Sequence, residues 1–121
     1  MKKSVSDSTL DKLWSKAVKM QYFNRCAACG GDGVEAHHVV RRAKKVLRWD
    51  ILNGITLCAE CHRWAHTLEG DMWVKQHVNL EYLVAHDITL ADYCTQHNVT
   101  KNEFRINRRD ELKTYLANFE L

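Results

Sequence analysis

Four cysteines and four histidines crowd the stretch between Cys26 and His66. Cys26-Ala27-Ala28-Cys29 and Cys58-Ala59-Glu60-Cys61 are two C-x-x-C pairs. Each pair can bend round one ion, and two pairs make a tetrahedral thiolate shell with Zn–S distances of about 2.3 Å. Such a shell is closed to water and substrate. The chemistry it offers is therefore structural: a zinc ion that staples two segments and couples folding to metal binding. The bland alternatives are two pairs of buried cysteines or a redox C-x-x-C. Doubled C-x-x-C spacing favours metal, and so does the odd total of five cysteines. Cys94, left over, reads as a small buried hydrophobe.

The histidines suggest a second, open site. His62 and His66 are four apart, and on a helix such residues share a face. They can offer two imidazoles to one ion. His37 and His38 are adjacent in an extended stretch, where neighbours point to opposite faces. One of them can complete a three-histidine site while the other stays free to act as a base. Phosphodiester hydrolysis needs that division, because a metal stabilises charge on phosphate and leaving oxygen. A separate neutral imidazole, with an ordinary pKa near 6.5, takes a proton from water. Asn53, in between, could bond backbone or side-chain groups and hold the base-bearing strand in line. The other three histidines, His77, His86 and His97, read as surface or satisfied core residues.

A polyanionic substrate needs cations nearby. Arg41, Arg42, Lys44 and Lys45 follow His38 closely, and Arg63 sits beside His62. These are the candidate phosphate contacts; they give affinity and position without sequence information. The bland reading is a solvated basic loop. The net charge of +3 is a weak pointer in the same direction. No apolar run approaches the ~20 residues of a membrane span. The start, Met1-Lys2-Lys3-Ser4, is basic with no hydrophobic stretch behind it, so no secretory signal is expected and the protein is expected in a cytoplasm.

The elements that must position these groups are legible in outline. At 121 residues one domain is expected, and a structural metal would help so small a core. Residues 6–23 read as a helix within an N-terminal unit 6–25, with Ser8 as N-cap and Asp11 in the capping-box position. Leu10, Leu13, Trp14, Ala17, Val18 and Met20 form its apolar stripe, with Lys12, Lys16 and Lys19 on another face. Residues 26–33 are a glycine-rich knuckle. Val34 to Val40 read as a strand, 41–54 as a basic loop anchored by Leu47 and Trp49 with a turn at Asn53-Gly54, and 55–57 as a second strand. A helix should run from Ala59 to about Leu68 and end at Gly70. The zinc-stapled core thus covers 26–70. The rest, 71–121, reads as a helical extension with segments near 71–78, 80–85, 89–97 and 101–118. Ile88 to Arg105 faintly suggests a helix-turn-helix, with Leu90, Cys94 and Val99 as packing positions. Trp49, Trp64 and Trp73 read as core. The fold class is α+β.

His38, Asn53 and His62 form an H-N-H series that resembles the HNH, or ββα-metal (His-Me finger), endonucleases. His37-His38 with His62-x-x-x-His66 looks like the arrangement of the nuclease colicins. The flanking Cys26/Cys29 and Cys58/Cys61 look like the four-cysteine zinc branch, and the whole is similar to small phage and prophage HNH proteins. The resemblance covers about residues 10–70. It implies that His38 is the general base, Asn53 the orienter, and His37, His62 and His66 the ligands of a catalytic divalent cation. Cleavage would leave 5′-phosphate and 3′-hydroxyl ends. Many family members carry Asp where this chain has His37, and Asn where it has His62. An all-imidazole site is softer and favours Mn²⁺, Co²⁺, Ni²⁺ or Zn²⁺ over Mg²⁺. The implied partner is DNA, including branched or nicked DNA, with a homodimer or a phage packaging or recombination partner also in play. The competing reading is a non-catalytic zinc module that docks on DNA or protein. A third is a toxin-type nuclease; the absence of receptor-binding and translocation segments counts against a free-standing toxin, not against a nuclease domain cut from one.

Overall fold

The computed structural model describes residues 4–119; the basic start Met1-Lys2-Lys3 lies outside them. Among the described residues there are seven α-helices, one 3₁₀ turn and one two-stranded sheet, a mixed helical and antiparallel β fold as expected. No helix is long and apolar enough to cross a membrane.

Helix α1 spans Asp7–Gln21, and its stripe buries Leu10, Trp14, Ala17 and Val18. The N-cap is Ser6, not Ser8. Ser6 has extended backbone and its hydroxyl accepts from Thr9 N–H at 3.1 Å, whereas Ser8 already lies inside the helix. Phe23 and Asn24 then take left-handed backbone (φ +54° and +57°), which turns the chain sharply into the cysteine knuckle.

Strand β1 (Glu35–His38) pairs antiparallel with β2 (Gly54–Leu57), placing His37 opposite Ile55 and His38 opposite Gly54. The expected strand 34–40 is shorter because Val39 and Val40 leave the ladder. Asn53 takes their N–H groups instead, with its carbonyl (3.1 Å) and its side-chain oxygen (2.6 Å). Gly54 is not in a turn but begins β2 with extended backbone. A Cβ there would meet Val18 at 2.4 Å and Trp14 at 2.8 Å, so glycine lets α1 lie directly on the hairpin. The stretch expected as an open loop holds a short helix α2 (Lys45–Arg48) and a 3₁₀ turn (Ile51–Asn53). Val46, Leu47 and Trp49 are buried and pull that backbone inward.

Helix α3 (Ala59–Ala65) stops a turn before Gly70. Thr67 ends the expected long helix by capping a new one, α4 (Leu68–Gln76), through a bond from Gly70 N–H at 3.1 Å. Gly70 sits buried inside α4, where a Cβ would meet the Trp64 carbonyl oxygen at 2.0 Å. It is a helix-crossing residue rather than a terminator. Helices α5 (Leu80–Ala85), α6 (Leu90–His97) and α7 (Lys101–Ala117) follow the expected segments closely. Asn98, at φ +53°, closes α6, and a Thr100/Glu103 capping box opens α7.

The core forms two clusters. In the larger, Phe104, Leu112 and Leu116 of α7 pack with Leu10, Trp14, Ala17 and Val18 of α1. Cys94, Leu90 and Val99 face this same cluster, so the α6–α7 pair spends its apolar positions on packing. In the smaller, Ile55, Leu57, Ala65 and Val74 pack behind Cys26. Ion pairs reinforce the α1–α7 contact: Arg105 donates to the Val5 carbonyl at 2.7 Å and to Asp7 at 2.6 Å.

Candidate metal centre and catalytic cleft

The knuckle wraps tightly enough to gather four sulfurs. Cys26 N–H donates to the Gly31 carbonyl (2.8 Å) and Gly30 N–H to the Cys26 carbonyl (2.9 Å), with Gly30 at φ +78°. Cys58 caps α3, its Sγ accepting from Cys61 N–H at 3.4 Å. The four Sγ atoms lie within 4.8 Å of one another, and Cys29 to Cys58 is 3.8 Å. Tetrahedral zinc with Zn–S of about 2.3 Å requires sulfur–sulfur edges of roughly 3.8 Å, so the donor set fits that ion. Burial raises the Cys26 thiol, but backbone N–H groups of Cys29, Cys58 and Ala28 outweigh it and bring it down to about 6. Burial and the neighbouring sulfurs push Cys61 up instead. Crowded thiols resist a common ionised state, and a dication removes that resistance. These four cysteines are those of a zinc-type knuckle.

The histidines part as strand geometry expects. His37 turns toward α3, where its ring centroid lies 5.0 Å from His62 and 5.1 Å from His66. Their ring nitrogens fall within 4.8 Å of one another, so the three form a set that could hold a metal ion. His37 is buried, His62 half-buried and His66 exposed, which leaves one side of the set open. Burial first, then the neighbouring imidazoles, hold His37 down at about 4, so it is neutral and its lone pair is available. Glu35, two residues before His37 and on the same strand face, sits in close contact with Nδ1 of His62. A carboxylate there would fix the tautomer and leave Nε2 as the nitrogen that could bind an ion. Sequence reasoning missed Glu35; period-2 alternation with His37 was the available signal.

His38 lies on the other side of β1, stacked on Trp14 with ring centroids 3.8 Å apart and planes 10° from parallel. Its Nε2 is 2.9 Å from the Arg48 carbonyl, which can only accept. Nε2 therefore carries the hydrogen and Nδ1 the free lone pair. The pKa is not near 6.5. Burial lowers it to about 4, with Arg42 adding to the effect and the Arg48 carbonyl opposing it. Asn53 is fully buried and makes three bonds: Oδ1 accepts from Val40 N–H, while Nδ2 donates to the carbonyls of Val40 and Leu47, both at 3.0 Å. It locks the end of β1 to α2.

His37, His38, His62 and His66 all line one cleft of about 800 Å³, with Asp11 and Trp14 of α1 on one wall and Thr67 and Leu68 on another. Of the five candidate phosphate contacts, Arg41 and Arg42 also line it. Lys44 and Lys45 border a groove beside the start of α6, and Arg41 lines both that groove and the cleft. Three of the five are engaged: Arg42 pairs with Asp11 (3.0 Å), Lys44 with Asp87 (3.4 Å) and Lys45 with Asp7 (3.5 Å). Arg41 and Arg63 are exposed and make no ion pair within the described residues. His77 and His86 close α4 and α5, stacked on Trp73 and Tyr82, and His97, the last residue of α6, lies tilted against Tyr93, each partner four residues earlier.

Residues 25–68 match the family model described as HNH endonuclease. The matched segment contains both halves of the cysteine site, β1, β2 and all four site histidines. No curated protein and no solved structure gives a match.

Proposed function

We propose that this chain, with its zinc-type HNH domain at residues 25–68, is a metal-dependent DNA endonuclease. The observation that carries the reading is a single cleft lined both by a three-imidazole set and by a separate, neutral imidazole. In this reading His37, His62 and His66 hold a divalent cation, with Glu35 orienting His62. When bound, that cation would polarise the phosphate and offset charge on the departing 3′ oxygen. His38 accepts a proton at Nδ1 from the attacking water as the new P–O bond forms and the bond to the 3′ oxygen breaks. A pKa of about 4 keeps His38 unprotonated at neutral pH. The negative charge of a bound phosphodiester would raise it toward the range where a general base works best. Asn53 holds the strand end in place. Cys26, Cys29, Cys58 and Cys61 hold zinc and keep β1 and α3 in register.

The ligand set favours Mn²⁺, Co²⁺, Ni²⁺ or Zn²⁺ over Mg²⁺ in intrinsic affinity. The test is plasmid cleavage with a panel of these metals, beside a branched or nicked substrate. Expected are EDTA-sensitive nicking and products with 5′-phosphate ends. The His38→Ala variant should keep its zinc and lose roughly 10²–10⁴-fold in rate. Wild-type cutting by that variant removes the mechanism. Metal-independent DNA binding without any cutting would identify a docking module instead.

A further inference from the structure

Helix α1 lies outside the matched segment, yet it supplies the surface against which His38 rests. We propose that Trp14 is a positioning residue for catalysis, holding the His38 imidazole in its working plane; the inference rests on His38 being the base.

Three observations converge on Trp14. Its ring covers one face of His38 at 3.8 Å and 10°, near-parallel stacking that leaves the imidazole little freedom to rotate about its outer bond. The indole is itself pinned, because Nε1–H donates to the Asp50 carbonyl at 2.8 Å in a buried site. Asp50 is fixed in turn: its carboxylate accepts from Tyr82 Oη at 2.5 Å and from Leu52 N–H at 2.9 Å. The other contact of the imidazole, the Arg48 carbonyl, is tied to the same helix. Asp11, one turn before Trp14, accepts from Arg48 Nε at 3.1 Å and Nη2 at 2.9 Å. One face of α1 thus governs both the plane and the tautomer of His38. A base held by packing on one side and a carbonyl on its edge needs no reorganisation when water arrives.

The helical C-terminal part gains a role from this. Tyr82 comes from α5, and α7 packs along α1, so residues beyond the matched segment hold the helix that holds the base.

The test uses full-length, zinc-loaded Trp14→Phe, Trp14→Leu and His38→Ala, with kcat, KM and Tm recorded for each. Phe keeps a flat face and Leu keeps only bulk. Trp14→Phe, which keeps the flat face but loses the bond to the Asp50 carbonyl, should cut clearly better than Trp14→Leu, which should lose roughly 10–100-fold in kcat with KM little changed. Adding Trp14→Leu to His38→Ala should cost nothing further, since the group it positions is gone. Wild-type kcat in folded Trp14→Leu, beside an inactive His38→Ala, would overturn the proposal. So would a further loss in the double variant. An active His38→Ala would instead sink the base assignment, and this inference with it. If Trp14→Leu does not fold, the ring protons of His38 decide: stacking shifts them upfield in wild type and partly in Trp14→Phe, and unshifted resonances in wild type refute the contact.

Discussion

Asn53 grips Val40 twice: its side-chain oxygen accepts from Val40 N–H at 2.6 Å, and its side-chain nitrogen donates to the Val40 carbonyl at 3.0 Å. The amide does for the strand end what a third β residue would do, while its second N–H reaches Leu47 at 3.0 Å. Asn53→Asp preserves shape and the accepting oxygen. It aims a carboxylate at two carbonyls in a fully buried site, however. Loss of two donors and burial of a charge should cost about 3–5 kcal/mol of stability. Denaturant midpoints would measure it, and a cost under about 1 kcal/mol would contradict the clamp.

In the proposed reading Glu35 would act on the metal through His62, whose Nδ1 it contacts, rather than by contact with an ion. Replacing it with Gln keeps a hydrogen-bonding group but removes the charge that makes the imidazole a stronger donor; Ala removes both. Metal affinity of the three-histidine site should fall by roughly 10–100-fold in Glu35→Ala and less in Glu35→Gln. Calorimetric titration with Mn²⁺ or Co²⁺ reads this directly. The zinc content of the cysteine site should stay unchanged, which separates a local effect from unfolding.

Much of this was readable in the sequence because ligand chemistry is spaced along the chain. Two C-x-x-C pairs and an i, i+4 histidine pair need no tertiary information, and strand alternation alone separates His37 from His38. Helix boundaries failed where contact decided them. Gly70 reads as a stop signal, but its role is to let α4 cross Trp64. Ser8 reads as a cap, but Ser6 has the extended backbone that capping requires. The basic loop was legible as a charge run, not as a set of ion pairs, because Asp7, Asp11 and Asp87 reach it from distant positions. Trp14 reads as core, and it is core; that its ring also faces His38 depends on α1 lying against the hairpin at Gly54.

The α1 clasp should weaken in acid. Burial raises the Asp11 carboxyl, but bonds from Arg48 and Trp49 and the charges of Arg48 and Arg42 outweigh it, leaving the group below 3.8. The bond from Arg105 holds Asp7 low as well. Lowered folded-state values mean stability that is full above the unfolded pKa and lost as pH falls through the folded one. Asp11→Asn keeps one oxygen for Trp49 Nε1–H and Arg48 Nε but puts an NH₂ where Oδ2 accepts from Arg48 and Arg42, so it removes the charge together with one acceptor. The stability gap between wild type and Asp11→Asn should be steady from about pH 7 to 5 and shrink below about pH 4. Urea midpoints at each pH would show it. A gap that stayed constant to pH 3 would mean that the carboxylate charge contributes nothing to the clasp.

Cations already paired inside the protein should matter less to DNA than free ones. Arg41 lines the cleft without an ion pair among the described residues, and Arg63 is exposed on α3, beside His62. A phosphate that meets either gains a charge contact at no cost to the fold. To meet Lys44 or Lys45 it must compete with Asp87 or Asp7. Arg41→Ala and Arg63→Ala should each lower the slope of log K against log salt by about one, uniformly across sequences. Lys44→Ala and Lys45→Ala should change it by clearly less. Titrating a catalytically silent His38→Ala background with duplex DNA between 50 and 200 mM salt, as an order-of-magnitude working range, would rank the four. A larger loss from the lysines than from Arg63, whatever Arg41 does, would move the substrate track into the groove beside α6, which Arg41 also lines.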